Sequence, residues 1–332
     1  IVGDGDGDNV LREVNGGNCL DFTWDLKSDH PEGTYWYHSH LHTLSEKQVG
    51  GGAFGMLIVD DNTNLNPVLP SWSKNERLIQ VSVNQYTYAM VANGRSNEVI
   101  DIDAGQWYRF RVSMVSANAI PYNFTFDDQG TCDIHKVASD GIWRSTVPGP
   151  TSSVWELTGA SRADFAIRCN TPNTLIPIFY RDDELVAQIW VGSAEPSPFT
   201  MEEWTPARPY SLSDMTEETV PETNKVAVRL GFDYVNDAEY DPLVPLATIA
   251  YDQVHEWVLM STNLHPFHIH LYHMQVVQPG GCGPHEEGEF YDTIAATGNC
   301  TVRFRTADIG QRCVLHCHVL FHEDNGSMSW VN

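Results

Sequence analysis

Histidines are concentrated in three short segments of the sequence. The segments are 35–42 (YWYHSHLH), 265–273 (HPFHIHLYH) and 316–322 (HCHVLFH), and together they hold ten of the fourteen histidines. In the last segment, Cys317 stands between two histidines. A single histidine on a strand is ordinarily structural, but packing does not explain three such clusters. Imidazole and thiolate groups are ligands of zinc and copper, so the pattern predicts a metal-binding protein.

The HCH sequence at 316–318 predicts two neighbouring metal groups. Successive side chains on a strand point to opposite faces, so His316 and His318 would share one face while Cys317 points to the other. A metal held by Cys317 and a second group held by the two histidines would then be joined through a few covalent bonds. That connection is a short path for electrons.

The same alternation applies to the other two histidine segments. On an extended strand, His268 and His270 share a face, and His265 falls on the opposite one. His265 can therefore join Cys317, and His322 can loop back towards the same metal. The histidines of the first segment would share one face: His38, His40 and His42.

The ligand types favour copper over zinc. One thiolate with two imidazoles, here Cys317 with His265 and His322, is the trigonal set of a blue-copper site. A histidine-only cluster with open positions suits copper that binds dioxygen. Zinc also takes histidine and cysteine, but a structural zinc needs only four ligands, whereas this sequence offers nine in regular patterns.

Short β segments separated by turns must position these ligands. Examples are 77–86, 106–115, 255–262 and 301–307, which alternate or cluster β-branched and aromatic residues. The pattern predicts an all-β protein of stacked β-sandwiches. Polar, proline-containing stretches at 60–75 and 193–224 divide the 332 residues into 1–62, 70–195 and 205–332. The first piece is too short for a complete sandwich.

The charge and hydropathy of the sequence disfavour several classes of partner. The sequence has 44 acidic and 19 basic residues, a formal charge of -25. This excess disfavours nucleic acid and anionic membrane surfaces as partners. No run of about 18 apolar residues is present, so we expect no membrane span.

Seven cysteines suggest an oxidising compartment. If Cys317 is a metal ligand, six remain for disulfides, and we predict that Cys132 pairs with Cys169 and Cys282 with Cys300. Three glycosylation acceptor patterns point the same way; they begin at Asn123, Asn299 and Asn325. The expected location is secreted or extracellular, or periplasmic for a bacterial protein.

At its histidine segments the sequence resembles the multicopper oxidases, the family of laccases, bilirubin oxidases, ascorbate oxidase and ferroxidases. The resemblance extends to 51–61 (GGAFGMLIVDD), 102–114 (IDAGQWYRFRVSM), 137–143 (VASDGIW) and 255–270 (HEWVLMSTNLHPFHIH). It implies tandem cupredoxin-like Greek-key β-sandwich domains. Residues 1–62 would be the C-terminal part of domain 1, 70–195 domain 2, and 205–332 domain 3 with the type 1 copper.

The resemblance also implies roles for individual residues. His265, Cys317 and His322 would hold the type 1 copper, which takes electrons from the substrate, and His268 the type 2 copper. The paired type 3 coppers would be held by His38, His40, His270, His316 and His318. A complete chain would hold four coppers and couple four one-electron oxidations to the reduction of dioxygen to water. Cys317, His316 and His318 would carry the electrons between the sites.

The sequence departs from the family pattern at its N-terminal end. Family members have a further HxHG motif before the HSH motif, which supplies one type 2 and one type 3 ligand. This sequence begins too late to contain it, and nothing in residues 1–34 except His30 could replace it. Either the natural chain extends further, which we favour because the other ligand positions are intact, or the oxygen site is incomplete.

A second departure concerns the axial position of the type 1 copper. Family members with an axial methionine place it at the position that is Ser327 here, and Met328 follows one residue later. Either the loop shifts so that Met328 binds the copper, or the axial site lacks a thioether. Glu323 resembles an acid that assists proton delivery in some members, as Asp6 or Asp8 resembles another. Each is alternatively a solvated surface carboxylate.

The expected function is a copper-dependent oxidoreductase that oxidises a phenol-like organic molecule or a metal ion and reduces dioxygen. The alternative is a non-catalytic copper-binding cupredoxin protein with an incomplete oxygen site. The sequence predicts neither the reductant nor the oligomeric state.

Overall fold

A computed structural model describes residues 3–5, 9–60, 65–66, 73, 75–84, 87–117, 121–181, 183–193, 201, 203–260, 262, 265–278, 280–307 and 312–332. Strands make up nearly all of the regular secondary structure of the described residues, so the all-β prediction is confirmed. None of its helices within these ranges is long and apolar enough to cross a membrane. Asp6 and Asp8 lie outside the described residues.

The first part of the chain contributes two small sheets. Strands β1 (Gly3–Gly5) and β2 (Trp24–Leu26) form one antiparallel pair. Strands β3 (Gly33–His38) and β4 (Phe54–Val59) form the other, and helix α1 (Ser45–Gly50) lies between them in sequence. The first histidine segment therefore begins at the end of β3 and continues into a loop.

The middle of the chain is a β-sandwich of two sheets. Its strands are β5 (Glu76–Val83), β6 (Met90–Ala92), β7 (Glu98–Asp103), β8 (Tyr108–Val115), β9 (Tyr122–Phe126), β10 (Cys132–Ser139), β11 (Ile142–Trp143), β12 (Val154–Leu157), β13 (Arg162–Cys169), β14 (Thr174–Tyr180) and β15 (Glu184–Gly192). One sheet has the order β11-β10-β13-β8-β5-β6 and the other β12-β9-β14-β15-β7.

Aromatic side chains fill the space between these two sheets. Trp155 is buried with its ring 4.7 Å from that of Phe165 and 4.4 Å from that of Phe126. Burying one such side chain stabilises a fold by about 1.5 to 3 kcal/mol. These side chains belong to one core that joins the two sheets of the middle sandwich.

The last part of the chain forms a second sandwich and carries most of the histidines. Its elements are β16 (Lys225–Val228), β17 (Val254–Met260), β18 (Phe267–Ile269), β19 (Met274–Gln278), β20 (Phe290–Tyr291), β21 (Thr293–Ile294), β22 (Asn299–Arg305), β23 (Cys313–Cys317), α2 (Leu320–Asp324) and β24 (Met328–Val331). The sheets run β16-β17-β22-β19-β20 and β21-β18-β23-β24. Their core contains Trp257, Phe267 and Phe304.

Two disulfides occur where the sequence predicts them. Cys132 is bonded to Cys169 across β10 and β13, and Cys282 is bonded to Cys300. Of the six cysteines that were available for disulfides, Cys19 and Cys313 are not bonded in the structure. Cys19 is exposed in the loop before β2. Cys313 is buried in the second sandwich, where its Sγ donates to the His270 carbonyl at 3.0 Å.

Removing the first disulfide is expected to destabilise the protein. The bond joins cysteines 37 residues apart in the sequence. Because a disulfide over such a separation restricts the unfolded chain, its removal lowers the free energy of unfolding by about 4 kcal/mol. The double variant Cys132→Ala/Cys169→Ala should lose that amount in urea unfolding. Cys282→Ala/Cys300→Ala is the control with a separation of 18 residues, and it should lose about 3 kcal/mol. Unchanged unfolding midpoints in both variants contradict this account.

Candidate metal centres

Three imidazoles from different parts of the chain converge on one point. The Nε2 atoms of His40, His270 and His316 lie 3.1 to 3.2 Å from one another. His316 comes from β23, His270 follows β18, and His40 lies in the loop after β3. The group therefore joins the first part of the chain to the second sandwich.

The nitrogens in this group are arranged as metal ligands. His316 Nδ1 donates to the Cys317 carbonyl at 3.1 Å, so its Nε2 carries a lone pair. Burial and the neighbouring imidazoles lower the pKa of His40, His270 and His316 well below 6.5, which keeps the rings neutral. Ligands about 2.0 Å from a tetrahedral ion lie about 3.3 Å apart, close to the observed spacing. The three nitrogens therefore fit a metal ion.

Three further histidines surround this group and face a common cavity. The ring of His318 lies 5.3 Å from that of His38 and 5.5 Å from that of His268. His38 Nδ1 donates to the Ser39 carbonyl at 3.0 Å, and His268 Nδ1 donates to the Asp292 carbonyl at 2.7 Å. Both rings thus keep Nε2 free for a metal. The cavity they line has a volume of about 150 Å³.

A separate group contains Cys317. Its Sγ lies 3.5 Å from His265 Nδ1 and 3.6 Å from His322 Nδ1, and the two nitrogens are 3.1 Å apart. Sulfur and nitrogen bound at about 2.3 and 2.0 Å to a common ion lie about 3.5 Å apart, so this set also fits a metal. Burial raises the pKa of the Cys317 thiol, so its ionisation requires a bound cation.

Strand register separates the two groups as the alternation predicts. In the pairing of β18 with β23, His268 lies opposite His316, and Phe267 lies opposite Cys317. Directly opposed residues of an antiparallel pair share a face. His268 and His316 therefore face the histidine cavity, while Cys317 points to the other side of the sheet.

The first histidine segment does not follow this alternation. Strand β3 ends at His38, so His40 reaches its group from a loop. His42 lies elsewhere, with its ring 5.3 Å from that of Tyr240. The prediction that the three histidines share one strand face is therefore wrong, because a strand period does not apply beyond the end of the strand.

Met328 does not lie at the Cys317 group. It pairs with His316 across β23 and β24, and its side chain packs with Val314 and Trp330 on that face. The Cys317 amide instead donates to the Ser327 carbonyl at 2.9 Å. This register contradicts the alternative in which the loop shifts to bring Met328 to the metal. The backbone of Ser327 lies beside Cys317, and its Oγ donates to the Tyr234 carbonyl at 3.3 Å.

Glu323 is not a solvated surface acid. It is buried on α2, and its carboxylate oxygens lie 3.1 Å from His40 Nδ1 and 3.3 Å from His316 Nδ1. Ser45 Oγ donates to the same carboxylate at 3.3 Å. Burial raises the pKa of Glu323 well above its ordinary value, so the carboxyl group holds a proton more readily.

The residues around Glu323 on α2 contact different parts of the protein. His322 belongs to the Cys317 group and Glu323 contacts the histidine group. Asp324 accepts the backbone N–H groups of Ser45 and Glu46, at 3.0 and 2.9 Å, and so fixes the start of α1. The sequence gives no periodic signal for these contacts, because they depend on a turn of helix that follows the strand.

Comparisons with known proteins agree with this architecture. Two multicopper oxidase family models match residues 6–64 and 204–332, more than half of the chain. Laccase-2 of Trametes villosa is 24% identical over 382 aligned residues, which cover 92% of this chain and 71% of that protein. The fold is similar to a laccase from Pediococcus acidilactici Pa5930 (TM-score 0.75, 20% identity, 94% of this chain and 71% of that chain). A multi-copper oxidase from Pediococcus acidilactici gives a TM-score of 0.76 at 22% identity, over 94% of this chain and 69% of that one.

Fold and sequence together define a copper oxidoreductase built from cupredoxin-like sandwiches. The chain belongs to the multicopper oxidase family, as its histidine motifs predicted. It is an oxidoreductase of that type, and copper is the metal that the family implies.

The register at Ser327 leads to a test of the axial position. Met328→Leu should leave the absorption and the reduction potential of copper at the Cys317 group unchanged, because the side chain faces away. Ser327→Met should lower the potential, since an added thioether donor stabilises the oxidised metal. Redox titration followed by the visible absorption measures both. A shift in Met328→Leu as large as that in Ser327→Met contradicts the assigned faces.

Proposed function

We propose that this protein oxidises a phenol-like organic molecule or a metal ion at a type 1 copper and reduces dioxygen to water at a trinuclear copper cluster. Bound copper would supply the one-electron chemistry that links the two half-reactions. The observation that carries the proposal is the position of the two donor groups. Cys317 belongs to one group, and its chain neighbours His316 and His318 face the other.

The connection between the groups is short. From Cys317 the peptide chain leads directly to His316 on one side and to His318 on the other. The hydrogen bond from His316 Nδ1 to the Cys317 carbonyl, 3.1 Å long, adds a second route between the same residues. Both routes avoid a jump through solvent, so an electron accepted at the sulfur reaches the histidine cavity through bonded atoms.

The ligand assignment follows the two sides of the sheet. His265, Cys317 and His322 would hold the type 1 copper. His40, His270 and His316 would hold one copper of the type 3 pair, His38 and His318 the other, and His268 the type 2 copper. A complete chain would then bind four coppers.

An aromatic surface beside His322 gives the reductant access. The ring of His322 is half-buried and lies 4.9 Å from that of Phe232, which is 48% exposed. Phe321, 44% exposed, contacts Phe232 edge to face. A small reductant can therefore approach His322 without entering the protein. The apolar rings suit an organic ring, and the acidic charge of the chain is compatible with a metal cation.

Glu323 would serve the oxygen side. Its carboxyl group is the described acid that contacts ligands from two different segments, His40 and His316. It would hold these rings in place and carry a proton towards the cavity through its Oε atoms. Ser45 Oγ, which donates to Glu323 Oε1, would extend this contact towards α1.

The alternative, a copper-binding protein without turnover, rests on a different observation. Among the described residues, two compact donor groups are complete, whereas His38, His268 and His318 do not converge on a third. Elemental analysis of the full natural chain separates the two functions. The oxidase requires four coppers per chain, and a non-catalytic protein holds fewer.

We also propose that the protein acts outside the cytoplasm. The two disulfides are typical of oxidising compartments. The three asparagines of the glycosylation patterns, Asn123, Asn299 and Asn325, are exposed and so accessible to modification.

The proposed function is tested by Cys317→Ser. The variant should lose both the intense blue absorption of a thiolate–copper site and the oxidation of phenols, bilirubin, Fe(II) and Mn(II), because the hydroxyl is not a soft ligand. Circular dichroism should show an intact fold. Cys313→Ser is the matched control, since Cys313 is a second buried cysteine on β23 outside both groups, and it should keep colour and activity. A blue, active Cys317→Ser protein would falsify the assignment.

Glu323→Gln is expected to slow reoxidation by dioxygen. The amide keeps one acceptor oxygen but turns an N–H donor towards a second imidazole, so one of the two contacts is lost. Losing such a contact typically costs about 10 to 100-fold in activity. Stopped-flow mixing of the reduced protein with dioxygen measures the effect, and reduction by substrate should be unchanged. Glu46→Gln, which alters an acid of the neighbouring helix α1, should reoxidise at the wild-type rate, and an equal slowing there contradicts the role of Glu323.

A further inference from the structure

A buried cluster of charged groups lies at the junction of the two sandwiches, against the wall of the histidine cavity. Arg162 of β13 directs two guanidinium nitrogens at both carboxylate oxygens of Asp292, at 2.9 and 2.6 Å. Asp140 accepts the backbone N–H of Asp292 at 3.1 Å and of Thr293 at 3.3 Å. All of these residues are buried. The cluster therefore fixes the segment 292–293 from two directions.

Arg162 is bonded to each of the three parts of the chain. Besides Asp292, its Nη2 donates to the Asp140 carbonyl at 3.0 Å and its Nε donates to the Thr34 carbonyl of β3 at 3.3 Å. A planar guanidinium provides five N–H donors in a fixed arrangement, which an ammonium group does not reproduce. Replacing Arg162 by lysine keeps the charge and removes this geometry.

The carbonyl of Asp292 sets the orientation of one histidine. His268 Nδ1 lies 2.7 Å from that oxygen, which only accepts, so Nδ1 must carry the hydrogen. The lone pair of His268 is then on Nε2, and the ring is held by a backbone group whose position depends on Arg162 and Asp140. The carbonyl is closer to Nδ1 than Thr293 Oγ1, at 3.3 Å, or Asp292 Oδ1, at 4.0 Å.

We propose that Arg162 is a positioning residue for His268. Through the carboxylate of Asp292 it holds the Asp292 carbonyl, and the carbonyl holds His268 in the Nδ1–H form with Nε2 directed to the metal. The inference extends the proposed function, because it gives His268 its role as a copper ligand. The middle sandwich supplies no metal ligand among the described residues. Through Arg162 it would nevertheless help to position a ligand of the oxygen site.

A second arginine allows this role to be separated from a general one in holding the sandwiches together. Arg144 also reaches from the middle sandwich to the second one and binds both carboxylate oxygens of Glu286 at 2.7 Å. Arg162 and Asp292 line the histidine cavity, whereas Arg144 and Glu286 do not. Arg144→Lys therefore disturbs the same kind of contact between the same sandwiches without affecting His268.

The test reads the tautomer of His268 in metal-free protein labelled with ¹⁵N-histidine. Long-range ¹⁵N–¹H spectra, assigned with His268→Gln, should show the Nδ1–H form in the wild type and in Arg144→Lys. In Arg162→Lys the Nδ1 hydrogen should exchange with solvent roughly tenfold faster, as expected for one lost hydrogen bond of ordinary strength. An unchanged His268 signal in folded Arg162→Lys overturns the proposal, as does an equal change in Arg144→Lys.

A second variant covers the case in which Arg162→Lys does not fold. Asp292→Asn keeps the backbone carbonyl and the side-chain shape, but it replaces one carboxylate oxygen of the fork with a donor. It should give the same faster exchange at His268, and a wild-type signal in this variant overturns the proposal.

Copper binding gives an independent readout. In Arg162→Lys the affinity of the histidine cavity for copper should fall about 10 to 100-fold, while the blue absorption of the Cys317 group is retained. Because the tautomer is measured without metal, its outcome is independent of turnover. A wild-type protein that oxidises no reductant overturns the proposed function and leaves the tautomer result standing.

Discussion

The mutual approach of three neutral imidazole nitrogens is the constraint on which the rest of the structure depends. His40, His270 and His316 bring Nε2 atoms to within 3.2 Å of one another. Such an arrangement is unfavourable unless a cation lies between the lone pairs. Each ring is therefore held on the side away from the group, by a carbonyl, a carboxylate or the strand to which it belongs. The two sandwiches and the first part of the chain must also be fixed relative to one another, because the three rings come from different parts of the chain. The buried ion pairs between the sandwiches serve this requirement.

Sequence reasoning succeeded where the ligands lie on paired strands. Strands β18 and β23 are neighbours in one sheet, so a period of two placed His268 and His316 on one face and Cys317 on the other. The disulfide between Cys132 and Cys169 was predictable because the segment between 70 and 195 has no other cysteine. The strand alternation determined the faces of the ligands, and the small number of cysteines in the segment determined the disulfide.

The same reasoning was insufficient where the chain leaves a strand. His40 reaches its group through a loop. Sequence spacing also left open whether Met328 reaches the Cys317 group, and the β23–β24 register turns Met328 away from it. Arg162 lies more than 100 positions before His268 in the sequence, and the two are related only through Asp292. A contact between remote segments that passes through a backbone carbonyl does not depend on residue types at a fixed spacing. Such a contact can therefore be identified only in the folded structure.

The helix α2 constrains how the sequence of this protein can evolve. Three consecutive residues, 322 to 324, face the reductant side, the oxygen side and the first part of the chain in turn. Inserting or deleting one residue before them rotates the positions of all three side chains by about 100° around the helix axis. A single altered side chain affects one partner, but a change in length misplaces the entry for electrons, the buried acid and the anchor of α1 together. We therefore expect lineages of this protein to vary α2 by substitution and to keep its length from Cys317 onward constant.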